Sequence, residues 1–144
     1  MTDNETTKFN KKIIQEFRKN HGIVGEPFSG IPLLLLATTG AKSGKSRLNP
    51  LAYSEEGDDI VVIASMAGAE QNPPWFYNLK AYPNVEVEVG DEKFQAIAQI
   101  TDEPLRTDLY KKMEEKMPMF SQYREKTKRV IPVILLKKVN SSTN

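Results

Sequence analysis

The chain has 144 residues, 39% hydrophobic and 27% charged, with 20 Lys+Arg against 19 Asp+Glu for a formal net charge of +1. That length and composition suit one folded domain and argue against two, exclude general disorder, and leave no global basic field for a dedicated nucleic-acid binder. With no cysteine, disulfides, thiol nucleophiles, thiolate metal sites and iron–sulfur clusters are excluded, and one histidine, His21, in a loop-like stretch cannot build a multi-histidine metal site.

The polar start Met1-Thr2-Asp3-Asn4-Glu5 is not a signal peptide. The longest apolar run, Ile31 to Ala37, is far shorter than the roughly 20 residues that span a bilayer, so a cytoplasmic protein is expected. Residues 6–20 place Phe9, Ile13 and Phe17 at i, i+4 and i+8 among Lys8, Lys11, Lys12, Arg18 and Lys19, which predicts a basic amphipathic helix. Its apolar stripe either packs on the body of the protein, lines a substrate entrance, or touches an anionic membrane surface, which would make the protein peripheral to the inner face of a membrane. Residues 22–30, with three glycines and Pro27, read as an irregular connection.

Strands are expected at Ile31–Thr38, Arg47–Tyr53 and Ile60–Ser65, the last two joined by a charged turn at Glu55-Glu56-Gly57-Asp58-Asp59, so that the three form a meander. Val85, Val87 and Val89 alternate with Glu86 and Glu88 as a half-exposed strand, and Gly90-Asp91 turns it into Lys93–Ile100. A short helix is predicted over Pro73–Tyr82 and a longer one over Glu103–Lys116, interrupted by Pro118, and a last strand over Ile131–Lys137 is apolar enough to be central. The sum is an α+β fold of about six mostly antiparallel strands in a barrel with flanking helices. Residues 1–30 form the helix and connection, 31–139 the barrel domain, and 140–144 a frayed tail.

Thr38-Thr39-Gly40-Ala41-Lys42-Ser43-Gly44-Lys45-Ser46-Arg47, between two strands, has the composition of an anion-binding loop. Glycines let backbone N–H groups approach a ligand, hydroxyls donate, and the cations suit phosphate or carboxylate. A P-loop is rejected because the glycines are one residue too close and a strand with Pro50, not a helix, follows. A plain solvated hairpin turn fits the composition equally well. Ala64-Ser65-Met66-Ala67-Gly68-Ala69 ends a strand in small residues against which a flat ring could lie. Trp75 and Tyr77, in Pro73-Pro74-Trp75-Phe76-Tyr77-Asn78-Leu79, either wall that ring or, for the tryptophan, serve the core.

Together these segments, with Asn72 and Arg129-Val130-Ile131-Pro132-Val133, occur in an order and spacing that resembles the deazaflavin (F420)-dependent nitroreductase family of split β-barrel oxidoreductases, from about Ile31 to Leu136. The resemblance implies coenzyme F420, no metal, and hydride transfer from the reduced deazaflavin to an electrophilic acceptor such as a quinone, an enone or a nitro compound. It implies cofactor contacts from Ala41, Lys42, Ser43, Lys45 and Arg47 at the anionic tail and phosphate, from Leu48, Asn49, Pro50, Leu51 and Ala52 along the next strand, from Ile63, Ala64, Ser65 and Met66, and from Pro74, Trp75, Phe76, Tyr77 and Asn78.

Ala41 and Met66 stand where better-known members often carry basic residues, and Lys45 is expected to restore part of that charge. The stretch matching the acceptor-pocket tyrosines of some relatives retains only Tyr123. With Met117, Met119 and Phe120 beside it, this predicts an apolar, adaptable acceptor pocket in which Ser65 and Tyr123 hydrogen-bond the acceptor. Two alternatives stay open, an FMN-binding split-barrel oxidoreductase and a non-catalytic cofactor-binding or storage protein. Nucleic acid is not an expected partner, since Lys and Arg are interleaved with Glu over 103–129.

Overall fold

The computed structural model describes residues 3–139. Seven antiparallel strands run β1 (Leu33–Thr39), β2 (Ser46–Ala52), β3 (Ser54–Glu56), β4 (Asp59–Ile63), β5 (Asn84–Val89), β6 (Glu92–Ile100) and β7 (Val133–Lys138). Four helices accompany them, α1 (Asp3–Lys19), α2 (Pro74–Ala81), α3 (Leu105–Lys116) and α4 (Met119–Lys126), with a 3-10 turn at Met66–Gly68. The expected tail, 140–144, lies outside the described residues.

The strand order β2-β1-β5-β6-β7-β4-β3 corrects two expectations, the count of six and the meander. The extra strand is β3, which occupies the first half of the predicted charged turn. Glu56 pairs with Asp59, so only Gly57-Asp58 turns, and Gly57 supplies the left-handed φ of 60°. The meander fails because β2 and β3 stand at opposite ends of the strand order although Tyr53 alone separates them. Seven strands laid flat at about 4.8 Å spacing would put those ends roughly 29 Å apart, far beyond one residue. The sheet therefore curls until its edges meet, and Tyr53, whose N–H donates to Pro32 O at 3.2 Å, carries the chain across the seam.

Side-chain alternation divides the core. The inner face of the barrel holds Leu34, Leu36, Val62, Ala64, Val85, Val87, Ile134 and Leu136, capped by Trp75, Phe76 and Leu79 of α2. On the outside, α1 lays Ile13 and Phe17 against Leu33 and Leu35. The four consecutive leucines of β1 are thus buried on both faces, which is why that strand reads as a run and not as an alternation. Leu109, Tyr110, Met113, Met117 and Phe120 of the α3–α4 segment cover Val61, Ile63, Val133 and Leu135. β7 is central, as its composition predicts.

The predicted start of α3 at Glu103 shifts to Leu105, because Glu103 serves the helix from outside. Its carboxylate accepts from Thr107 N at 2.9 Å, Thr107 Oγ1 at 2.7 Å and Arg106 Nε at 2.9 Å. The Thr107 hydroxyl, the Arg106 guanidinium and the Thr107 N–H together hold the Glu103 carboxyl down to about 2. A depressed acid stabilises the fold above its ordinary pKa and loses that contribution as pH falls from 4.5 toward 2. Glu103→Gln is therefore expected to melt below the wild type at pH 7, with the gap closing on acidification through that window. Parallel melts of the two proteins across pH 7 to 2 measure it, and a pH-independent gap would contradict the assignment.

Candidate active site

The β1–β2 connection, Gly40–Lys45, is folded on itself. Gly40 N donates to Lys45 O at 2.7 Å, Gly44 N to Gly40 O at 2.9 Å, and Lys45 N to Ser43 Oγ at 3.1 Å. A Cβ on Gly40 would fall 2.5 Å from Ser43 Oγ and 3.2 Å from Lys45 O, so a larger residue there would push the Ser43 hydroxyl off its bond with Lys45 N. A latch from α2 fixes its position: buried Asn78 accepts from Ala41 N at 2.9 Å and donates to Thr38 Oγ1 at 3.1 Å. Both groups that the amide satisfies would otherwise compete for solvent, so the bonds tie loop, strand and helix into one unit.

Opposite this loop, β4 ends in a turn with three consecutive left-handed residues, Met66 (φ 47°), Ala67 (φ 55°) and Gly68 (φ 82°). Arg129 anchors the segment that contains it, donating to Ala64 O at 3.1 Å, Ser65 O at 3.0 Å, Ala69 O at 2.9 Å and Asn72 Oδ1 at 2.6 Å. Burial pulls the Arg129 guanidinium below its ordinary range.

A cleft of about 900 Å³ opens between these parts, lined by the loop (Gly40–Ser43), by Arg47 and Asn49 of β2, by Met66, Gln71 and Asn72, and by Pro74, Trp75, Tyr77 and Asn78 of α2. No carboxylate lines it, and Lys42 and Arg47 form no salt bridge among the described residues. A smaller groove of about 390 Å³ is lined by Glu55, Asp58, Asp59 and Glu92 together with Lys138, and there Glu92 pairs with Lys138 and Asp59 with Lys137. With acids in its lining the second groove suits an anion less well than the first. Among the described residues no cluster of metal-ligating side chains occurs.

Of the expected cofactor residues, the cleft brings together Ala41, Lys42, Ser43, Arg47, Asn49, Met66, Pro74, Trp75, Tyr77 and Asn78. Strand alternation explains several that it leaves out. Arg47 and Asn49 face the cleft, whereas Leu48 and Ala52 pack on the α1 side and Leu51 packs against the barrel core; Pro50 also lies outside the lining. Ile63, Ala64 and Phe76 are core residues, and Ser65 is buried beneath Arg129. Trp75, for which a ring wall and a core position were alternatives, packs in the core and also lines the cleft. Lys45 holds the loop through its backbone and does not line the cleft, so the expected charge restoration has no support in the geometry.

The expected acceptor pocket of Ser65, Met117, Phe120 and Tyr123 is not open. Met117 and Phe120 are buried because β4 and β7 need an outer cover, and Tyr123 packs edge-on against Phe120 at 5.4 Å between centroids. Gln71 and Asn72 line the cleft without having been expected to; Asn72 belongs to the Asn72–Leu79 segment, but nothing local marks it, since its partner Arg129 is 57 residues away.

The curled split barrel thus carries a broad cleft without carboxylates beside the Gly40–Lys45 loop, and its donors Lys42, Ser43, Arg47 and Asn49 would suit an extended ligand with acidic groups at one end. Residues 9–138 match the family described as F420H(2)-dependent quinone reductase, and the chain belongs to that family. It is 36% identical over 124 residues, 83% of each chain, to an F420H(2)-dependent quinone reductase of Mycobacterium tuberculosis. A solved F420-H2 dependent reductase shares 34% identity at a TM-score of 0.68, covering 80% of this chain and 97% of that one. A solved chain described as a domain-swapped dimer shares 31% identity at a TM-score of 0.69, covering 94% and 100%. The protein is an F420H2-dependent oxidoreductase of this family, and its cofactor is coenzyme F420.

Proposed function

We propose that the acid-free cleft is the F420 site and that the acceptor, a quinone, approaches it over Met66 and Tyr77. The observation that carries this reading is the pairing of uncompensated Lys42 and Arg47 with a cleft free of carboxylates. When bound, reduced F420 supplies a hydride. Lys42 and Arg47 neutralise the anionic end, and Ser43 donates beside them. Asn49 has no side-chain partner among the described residues and offers its amide to the ring edge, while Pro74 and Trp75 flank the ring and exclude water. Asn78 is committed to Thr38 and Ala41 and acts by holding the loop. Met66 and Tyr77, both about half exposed, give the acceptor an apolar rim in place of the buried Met117 and Phe120.

Among the described residues no helix is long and apolar enough to cross a membrane. The stripe of α1 is spent on β1, leaving Lys8, Lys11, Lys12 and Lys19 outward, so peripheral membrane contact through α1 would be electrostatic and sensitive to salt. A fluorescence titration with oxidised F420 and FMN in parallel, Trp75 reporting, tests the site. Saturable quenching by F420 and little response to FMN is the expected result, and FMN preference would overturn it.

A further inference from the structure

The left-handed turn at Met66-Ala67 is costly for residues with a Cβ and must be held by its surroundings. Within its own segment only Gly68 N to Ser65 O (2.9 Å) and Ala69 N to Met66 O (3.1 Å) bind it, the ordinary bonds of a short turn. Two neighbours supply what is lacking: α4, whose Tyr123 and Lys126 abut Gly68, and Arg129. The Arg129 guanidinium takes carbonyls on both sides of the turn, Ala64 and Ser65 before it and Ala69 after it, and reaches on to the Asn72 side chain.

We propose that Arg129 is the positioning residue of the cleft wall: its four hydrogen bonds keep the Met66-Ala67 turn left-handed and fix the Asn72 amide, so that Met66 and Asn72 face the cleft. The fork geometry matters more than the charge, since all four acceptors are neutral carbonyl oxygens, three of the backbone and one of the Asn72 amide, that a lysine ammonium cannot span together. Occupying Asn72 Oδ1 also orients that amide, leaving its Nδ2 as the donor presented to a bound ligand. Arg129 itself does not line the cleft, so its effect on binding is exerted through the wall.

The proposal rests on the cleft being the F420 site, and the test separates the two. In Arg129→Lys, amide hydrogen exchange over 64–72 is expected to rise at least tenfold, and F420 to bind about tenfold more weakly. Adding Ala67→Gly, which removes the left-handed penalty, should recover part of both losses. Asn72→Ala, which leaves the core untouched, should weaken F420 binding by a smaller factor and guards against a misfolded Arg129 variant. Unchanged exchange in Arg129→Lys, or no recovery on adding Ala67→Gly, would overturn the clamp. Faster exchange with F420 affinity intact would overturn the cleft as the cofactor site and leave the clamp standing.

Discussion

Replacing Lys42 and Arg47 together by alanine is expected to weaken F420 binding by about 100-fold while leaving the melting temperature within about 1 °C of wild type. Each cation makes a charge-assisted contact of about 1.5–3 kcal/mol in a sheltered setting. Both are solvent-exposed, so solvent and salt reduce that to about 1.4 kcal/mol each, or tenfold per side chain. Stability should hold because neither side chain is buried or salt-bridged among the described residues. Titrations at low and high salt give a second reading. Wild-type affinity should fall as ionic strength rises, and the double variant should have lost most of that slope. A variant that still binds as tightly as wild type would move the anionic end of the cofactor elsewhere.

Gly68→Ala is expected to cost about 2–4 kcal/mol of stability, a fall of roughly 10 °C in melting temperature. Two causes add. The residue sits at φ 82°, and a Cβ there would fall 2.9 Å from both Tyr123 O and Lys126 Cβ. A lysine could swing its far end aside, but a helix carbonyl and a Cβ move only with the backbone of α4. Gly30→Ala isolates the first cause, since Gly30 has φ 80° and nothing within 4 Å of the added methyl. That control should cost only about 1 kcal/mol. If calorimetry finds the two variants equal, α4 is not in tight contact with Gly68.

The parts of the fold that were legible in the sequence are those with a local cause. Val85, Val87 and Val89 alternate because β5 has one inner face, Gly90-Asp91 follows because the hairpin needs a tight turn, and Phe9, Ile13 and Phe17 recur because α1 lies on β1. β3 escaped because three polar residues beside a glycine look like a turn whether or not they pair with Asp59–Val61. In the site, residue types were legible and directions were not. Lys42, Arg47, Asn49 and Trp75, which line the cleft, were expected there together with Leu48 and Phe76, which do not, and only the strand's parity and the seating of α2 separate the two groups. Met117 and Phe120 were misplaced for a related reason, since apolar side chains suit a pocket and a core alike. The latch of Asn78 and the clamp of Arg129 join residues 37 to 65 positions apart, where no spacing rule reaches.

The seam at Tyr53 bears on how the chain comes into being. The β1–β2 and β3–β4 hairpins are local and can form as soon as each is made, yet the strands that link them, β5, β6 and β7, end only at Lys138. Arg129 too emerges only after β6 and α4. The barrel therefore cannot close until β7 has been made, so a nascent chain that has not reached β7 carries the Gly40–Lys45 loop without its enclosing wall.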